Sequence, residues 1–380
     1  MHDGVQKGKI NINPVMVLLW TNVFYQVFFN SSWRERFSGD VGKYVGYSLI
    51  ALLMVVVVIN LLRYVSKIEI MIPAFILVFL GIYLIWFGNL TVGTTFLFAI
   101  IALLYNPEKI FEVYYWATIT AVAIVILLSL TSVLPLHDSL GGALTLGFRN
   151  VNTTGFYIGI LLIEYAAVNP KRVHFLYWIT YGIGLMVEYL LFGDKTIVGV
   201  MIAFALLVSV DRVKPALFKN KLVRAPFSIL PFILGYTAFS LANDFGTTAF
   251  SLKVNHFLTN RVFIWNYYLI TYPAHWLPAY KQLSMKQINM NVFSASTFDG
   301  AYVAYPLSIG WFLSILCLVT FSLYIYIYMK KNSGLAIVGI IFVILGFSES
   351  LILSFYQSPV AVVALGIGLK SLFQRKERKV

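Results

Sequence analysis

Apolar residues run through this chain in long blocks separated by short polar breaks. A helical crossing of a bilayer needs about 17–25 such residues. On that ruler the pattern predicts twelve spans, at about 12–30, 42–62, 70–88, 90–105, 110–134, 153–168, 174–192, 196–210, 225–242, 301–328, 335–353 and 358–374. The slightest break is Gly88-Asn89, between the third and fourth spans. The expectation is an all-α, polytopic membrane helix bundle forming one integral domain over 1–380. One long loop, 243–300, interrupts it.

Composition strengthens that reading: 60% of residues are hydrophobic and 11% are charged. In a soluble protein the formal charge of +13 would point to nucleic acid. Here the excess reads as topogenic charge that holds loops in the cytoplasm, and no nucleic-acid partner is expected. With the N-terminus placed inside, the inner segments carry Lys7, Lys9, Arg63, Lys67, Lys109, Lys171, Arg172, Arg212, Lys214, Lys219, Lys221, Arg224, Lys330, Lys331, Lys370, Arg375, Lys376, Arg378 and Lys379, which is 19 of the 28 Lys and Arg. The outer segments carry Arg34, Arg36, Lys43, Arg149, Lys195, Lys253, Arg261, Lys281 and Lys286, which is 9. Four of those nine lie in the long loop, where the charge rule is weak. The split predicts both termini cytoplasmic and the loop 243–300 outside.

The first block follows a basic flank and ends in FFNSSWRERF, with no small-residue cleavage site, so it reads as an uncleaved first helix. Cys317, the only cysteine, lies inside an apolar run and can form no internal disulfide. The loop is rich in aromatics: Trp265, Tyr267, Tyr268, Tyr272, Trp276 and Tyr280. Its stretch RVFIWNYYLI reads as a short helix lying in the membrane interface.

Chemistry is sparse. The chain has no GxxxxGK[ST], HExxH, DxD or GxSxG element, the usual marks of ATP-driven transport, zinc hydrolysis, metal-dependent use of nucleotide sugars and serine hydrolysis. No Cys/His metal spacing occurs, and His137, His256 and His275 are far apart. Several polar elements fall on the predicted outer side. GFRNVNTTG, 147–155, opens the sixth span; Asn152 and the threonines could cap that helix, or its positive end could face a ligand. GDKT, 193–196, turns between two spans, and Lys195 either snorkels or meets an anion. Arg261 is either an interface anchor or a phosphate ligand. Asp299 is either a solvated helix end or an acid at a site. Glu349, late in the eleventh span, is an ionisable group at depth, which by default marks function. Glu112 and Glu164 read as packing or interfacial groups, and Glu188 is open to either reading. Together, three cations and two carboxylates on one leaflet beside aromatics suit an amphiphile with an anionic head.

The order of these elements resembles bacterial O-antigen ligases and Wzy-type polysaccharide polymerases. GFRNVNTTG is similar to their GFxNPNxxG-like element. GDKTIVG is similar to their SR-T-G turn, with Lys195 where arginine is usual. NRVFIW is similar to their GRxxxW element and supplies Arg261. DGAYVAYPLSIGW resembles an element reading H-N in ligases and D-N in many polymerases, here Asp299-Gly300. GFSES resembles the late acidic element, with Glu349. The likeness covers roughly 147–350 and departs from the usual pattern at Lys195, Val151 and Gly300.

The resemblance implies a GT-C-like membrane glycosyltransferase without a cofactor or metal. It would be a polymerase joining undecaprenyl-diphosphate-linked oligosaccharide repeat units at the outer face of the cytoplasmic membrane, with inversion. Donor and acceptor would both be lipid-linked, and a flippase and a chain-length regulator are the further partners it implies. The glycan would be capsule, exopolysaccharide or O-antigen. Asp299, Arg261, Lys195 and Glu349 would be catalytic: cations on the leaving diphosphate, Asp299 as base. Arg149, Asn152, Trp265 and Tyr302 would bind substrate. Asp299 in the ligase histidine's place favours polymerase over ligase. A flippase of the same glycans is the alternative of a different class; its polar residues should line a path to both leaflets.

Overall fold

A computed structural model describes residues 13–64, 67–138, 142–169, 173–279 and 299–374. Their regular structure is helical, with two isolated bridges and no strand among the described residues. The helices are α1 (Pro14–Phe29), α2 (Gly39–Leu61), α3 (Ile68–Trp86), α4 (Leu90–Ala99), α5 (Ile101–Leu104), α6 (Pro107–Leu130), α7 (Val151–Val168), α8 (Phe175–Val187), α9 (Lys195–Val213), α10 (Pro215–Lys219), α11 (Lys221–Asn243), α12 (Ala249–Phe257), α13 (Arg261–Thr271), α14 (Ala301–Lys331), α15 (Ser333–Leu345) and α16 (Pro359–Phe373).

Eight helices among the described residues are long and apolar enough to cross a membrane: α2, α3, α6, α7, α8 with its following π-turn, α9, α11 and α14. Four shorter apolar helices, at Pro14–Phe29, Leu90–Leu104, Ser333–Leu345 and Pro359–Phe373, fall where the remaining predicted segments lie. Large apolar side chains face outward on the peripheral helices, among them Phe75 and Phe79 on α3 and Leu190 and Leu191 beside α8. Such a surface suits lipid, not water. The protein is a polytopic helical membrane protein.

The centre is α14, α15 and α16, with α3, α4, α6, α7, α9 and α11 around them. Ile337 to Val343 on α15 and Val360 to Leu365 on α16 are almost wholly buried. Helix starts follow local chemistry. Asn13, Asn150, Asp194, Asn220, Thr248, Asn332 and Ser358 each accept a first-turn N–H, satisfying donors the helix cannot. At α7 the cap is Asn150, at 2.7 Å from Thr153 N, and not the Asn152 expected from the sequence. Asn152 already lies inside the first turn, where its side chain cannot fold back on its own N–H groups.

Two further expectations change. The eleventh segment does not continue helically to 353: α15 stops at Leu345, and the chain unwinds through Gly346 to Ser350. Glu349 therefore sits in a turn beyond the helix. The helix expected over RVFIWNYYLI is present as α13, but its apolar face is turned into the bundle. Val262, Ile264, Trp265 and Tyr268 are buried there instead of meeting lipid. Asn266 Nδ2 ties α13 to the end of α11 by donating to Ala242 O at 2.8 Å. The loop then returns to α14, where the chain is non-helical at Gly310 and Trp311 N and Phe312 N donate to the carbonyls of His275 and Trp276. Tyr280, Lys281 and Lys286 lie outside the described residues, as do the first twelve residues and 375–380.

Candidate functional site

One end of the bundle gathers the ends of α1, α7, α9, α14 and α15. Its centre is Arg261, the first residue of α13. The turn before it is a tight knot. Thr259 and Asn260 both take positive φ, Asn255 Oδ1 accepts from Phe263 N at 2.9 Å, and Asn255 Nδ2 donates to Asn260 Oδ1 at 3.1 Å. This aims the guanidinium inward. Nη2 donates to Glu349 Oε1 at 2.8 Å and to Asp299 Oδ2 at 3.4 Å, and Nη1 donates to Thr259 Oγ1 at 3.0 Å. Each of the three charged side chains is less than a fifth exposed.

The two acids are held from the main chain. Trp265 Nε1 donates to Asp299 O at 2.5 Å, and the same indole lies against Gly300. Gly300 has φ of 100°, and a Cβ there would come within 2.6 Å of the ring, so both backbone and space require glycine. Ala301 N, an orphan donor at the start of α14, donates to Gly346 O at 2.8 Å and to Glu349 O at 3.2 Å. The unwound end of α15 thus caps α14 and brings Glu349 beside Asp299.

A third acid joins them. Asp194 caps α9, accepting from Thr196 N at 3.0 Å and Ile197 N at 3.1 Å. Asp194, Asp299 and Glu349 line one cavity of about 210 Å³, with Asn30, Asn150 and Gln357 in its wall. Burial raises the Asp299 carboxyl above the ordinary carboxylate range, with the Arg261 charge and hydrogen bond pulling it down and Asp194 pushing it up. Burial, then the Asp299 charge, raises Glu349 to about 8, against the pull of Arg261. Burial also raises Asp194, while its helix-cap hydrogen bonds pull the other way. Arg261 pairs with two of the three carboxylates without lining the cavity, which leaves the cavity short of positive charge. It therefore holds a proton readily and can accept one from a substrate hydroxyl once deprotonated.

The other residues singled out in the sequence lie as follows. Lys195 begins α9 next to Asp194, but its side chain is exposed and does not line the cavity. Arg149 pairs with Glu35, Nε to Oε1 at 2.8 Å, in a half-exposed bridge. Asn152 is exposed and lines the cavity. Trp265 is wholly buried and Tyr302 nearly so, and neither lines this cavity. Trp265 shapes the Asp299 main chain. Tyr302 donates to Val343 O at 2.8 Å and faces a separate apolar groove of about 280 Å³ between α11 and α14. Glu188, in the π-turn after α8, is fully buried, and neither carboxylate oxygen has a hydrogen-bond partner. A Cβ on Gly155 would lie 2.5 Å from Glu188 Oε2 and 3.5 Å from Asp194 Cβ, so this acid sits just behind the cavity.

Asp194, Asn30, Asn150 and Gln357 were not singled out as site residues from the sequence. Asp194 carried a signal: an acid two residues before a threonine at the mouth of an apolar run is a helix-cap pattern. The chain matches no family model, no curated protein and no solved structure.

Proposed function

We propose that this protein is a polysaccharide polymerase of the cell membrane, transferring a glycan from a lipid diphosphate to a hydroxyl of a second lipid-linked repeat unit. The observation that carries the reading is the cluster of Arg261, Asp299 and Glu349. Three segments widely separated in sequence meet in these ion pairs, and the two acids line a polar cavity at the end of an apolar bundle. Ionisable groups so placed are costly unless they act.

In the proposed step the acceptor oxygen bonds to the anomeric carbon from the face opposite the leaving group. The bond to the diphosphate oxygen breaks and takes its electron pair with it. The hydroxyl proton passes to Asp299, with Glu349 orienting the hydroxyl. Arg261 holds both carboxylates in position. Lys195 and Arg149, both at this end, are proposed as further substrate contacts beside the acids. No metal or cofactor enters this reading. The bundle would cross the membrane twelve times in a GT-C-like arrangement, with both termini cytoplasmic and the cluster outside. The donor would be undecaprenyl-diphosphate-linked.

A polar path reaching both ends would favour a flippase. Asp194, Asp299 and Glu349 gather at one end, the opposite end offers Glu108 bonded to Asn332 and Asp211 bonded to Ser333, and Glu164 is buried on α7. The test is the glycan of cells lacking the protein. Single repeat units left on lipid mean polymerase. Full-length polymer left on lipid means ligase, and repeat units trapped inside mean flippase.

A further inference from the structure

The acidic cavity has a basic neighbour. A second cavity of about 590 Å³ lies between α1, the start of α2 and the first turn of α4. The two cavities share Asn30 and Tyr356 as a common wall. The larger one is lined by Gln26, Arg34, Lys43 and Asn89, with aromatic surface from Phe29 and Phe355. Lys43 Nζ reaches Asp40 at 2.7 Å, an exposed i,i+3 pair that costs little to exchange for another anion. The Arg34 guanidinium lies over the Phe29 ring, 5.5 Å from its centroid. Burial raises the Tyr356 phenol, against its hydrogen bond with Ser354 and the positive fields of Arg34 and Arg149. The Asn89 side chain leaves its own helix start uncapped and donates instead to Ser308 O at 2.9 Å. The first turn of α4 therefore adds its positive end to the lining.

Charge is thus segregated across one wall, with carboxylates on one side and cations on the other. A diphosphate would be repelled by the cavity of Asp194, Asp299 and Glu349, where the one guanidinium is already committed. Cations, amides and aromatic faces together suit a diphosphate ester joined to a sugar.

We propose that the Arg34–Lys43 cavity binds the diphosphate and first sugar of the lipid-linked donor, and that the acidic cavity receives the acceptor hydroxyl. This rests on the glycosyl-transfer reading above and assigns its two substrates to two adjoining sites. The reacting carbon would lie at the Asn30–Tyr356 wall. The leaving oxygen's electron pair would develop on the Arg34 side, and the proton would leave on the Asp299 side.

The test is binding of farnesyl diphosphate, inorganic pyrophosphate and farnesol to the purified full chain in detergent micelles. The expected result is that both diphosphates bind, more weakly as salt rises, and that the combined Arg34→Gln, Lys43→Gln variant weakens them at least tenfold. Arg34→Lys with Lys43→Arg, which keeps both charges, should retain binding within about threefold of the wild type, a guard against mere misfolding. Arg261→Gln should leave diphosphate binding within about twofold. Loss with Arg261→Gln and none with the double variant would place the diphosphate at the acidic cavity; that overturns this inference and leaves the polymerase reading intact. Equal binding of farnesol and farnesyl diphosphate, insensitive to every charge change, would overturn both.

Discussion

Arg261 Nη2 lies 2.8 Å from Glu349 Oε1, although 88 residues separate them in sequence. The same nitrogen reaches Asp299, so one guanidinium sets the separation and direction of two acids. Arg261→Ala should reduce polymer formation by about 10²–10³-fold, the usual effect of losing one preorganised electrostatic group. Arg261→Lys should recover only part of this, because an ammonium lacks the planar fork. Glycan length made by purified protein from lipid-linked repeat units reads both. Full activity in Arg261→Ala would remove the cluster from the mechanism.

The raised carboxyls set a pH dependence. A base works only when deprotonated, so turnover should rise with pH, with its acid limb above the range of an ordinary carboxylate. Stability should run the other way. Glu349 titrates at 4.5 when unperturbed and at about 8 in the fold, so the fold binds its proton more tightly than the unfolded chain does. That contribution is complete below about 4.5 and is lost as pH rises through about 8. Melting in detergent across this window should show the decline, and Glu349→Gln should flatten it. A Glu349→Gln protein with an unchanged slope would assign the titration elsewhere.

Asp299→Asn keeps size and hydrogen bonding but loses the base. Turnover should fall far more than donor affinity does. An Asp299→Asn protein at full speed would leave Glu349 or Asp194 as the base. The same assay run with a chelator tests the metal-free reading, which a strict divalent-ion requirement would sink.

Gly155 and Glu188 form a close pair. A methyl group at 155 would press on the buried carboxylate at 2.5 Å. Gly155→Ala should cost about 1–3 kcal/mol, as overpacking commonly does. Glu188→Ala in the same chain should relieve most of it, a coupling readable as a double-mutant cycle of melting. Strictly additive effects would show that the carboxylate swings away at no cost.

Lys195 is exposed and forms no ion pair among the described residues, so a structural role would be small. Lys195→Ala should leave melting within about 0.5 kcal/mol, as for most surface changes. If it contacts the substrate, the rate should still drop severalfold, and Lys195→Arg should restore it. Unaltered kinetics in Lys195→Ala would leave it as an interfacial lysine.

The twelve apolar segments were legible because helical burial in lipid needs a run of apolar residues and little else. Arg261, Asp299 and Glu349 stood out because ionisable groups are rare in this chain and fell within ordered motifs. Which way each side chain points was a different matter. Asp194 and Lys195 are neighbours, yet one lines the cavity and the other is exposed, since Asp194 is an extended cap folded onto the first turn of α9 and Lys195 is the first residue of that helix. Trp265 read as a substrate-binding residue, but the missing Cβ of Gly300 leaves room that the indole fills. Glu349 read as part of a span, whereas the orphan N–H of Ala301 finds its acceptors in the unwound turn at Gly346 and Glu349. Sequence determined the inventory of helices and charges because these depend on local burial and solvation. Tertiary packing alone decided which charges share a cavity, because that depends on where independent helix ends meet.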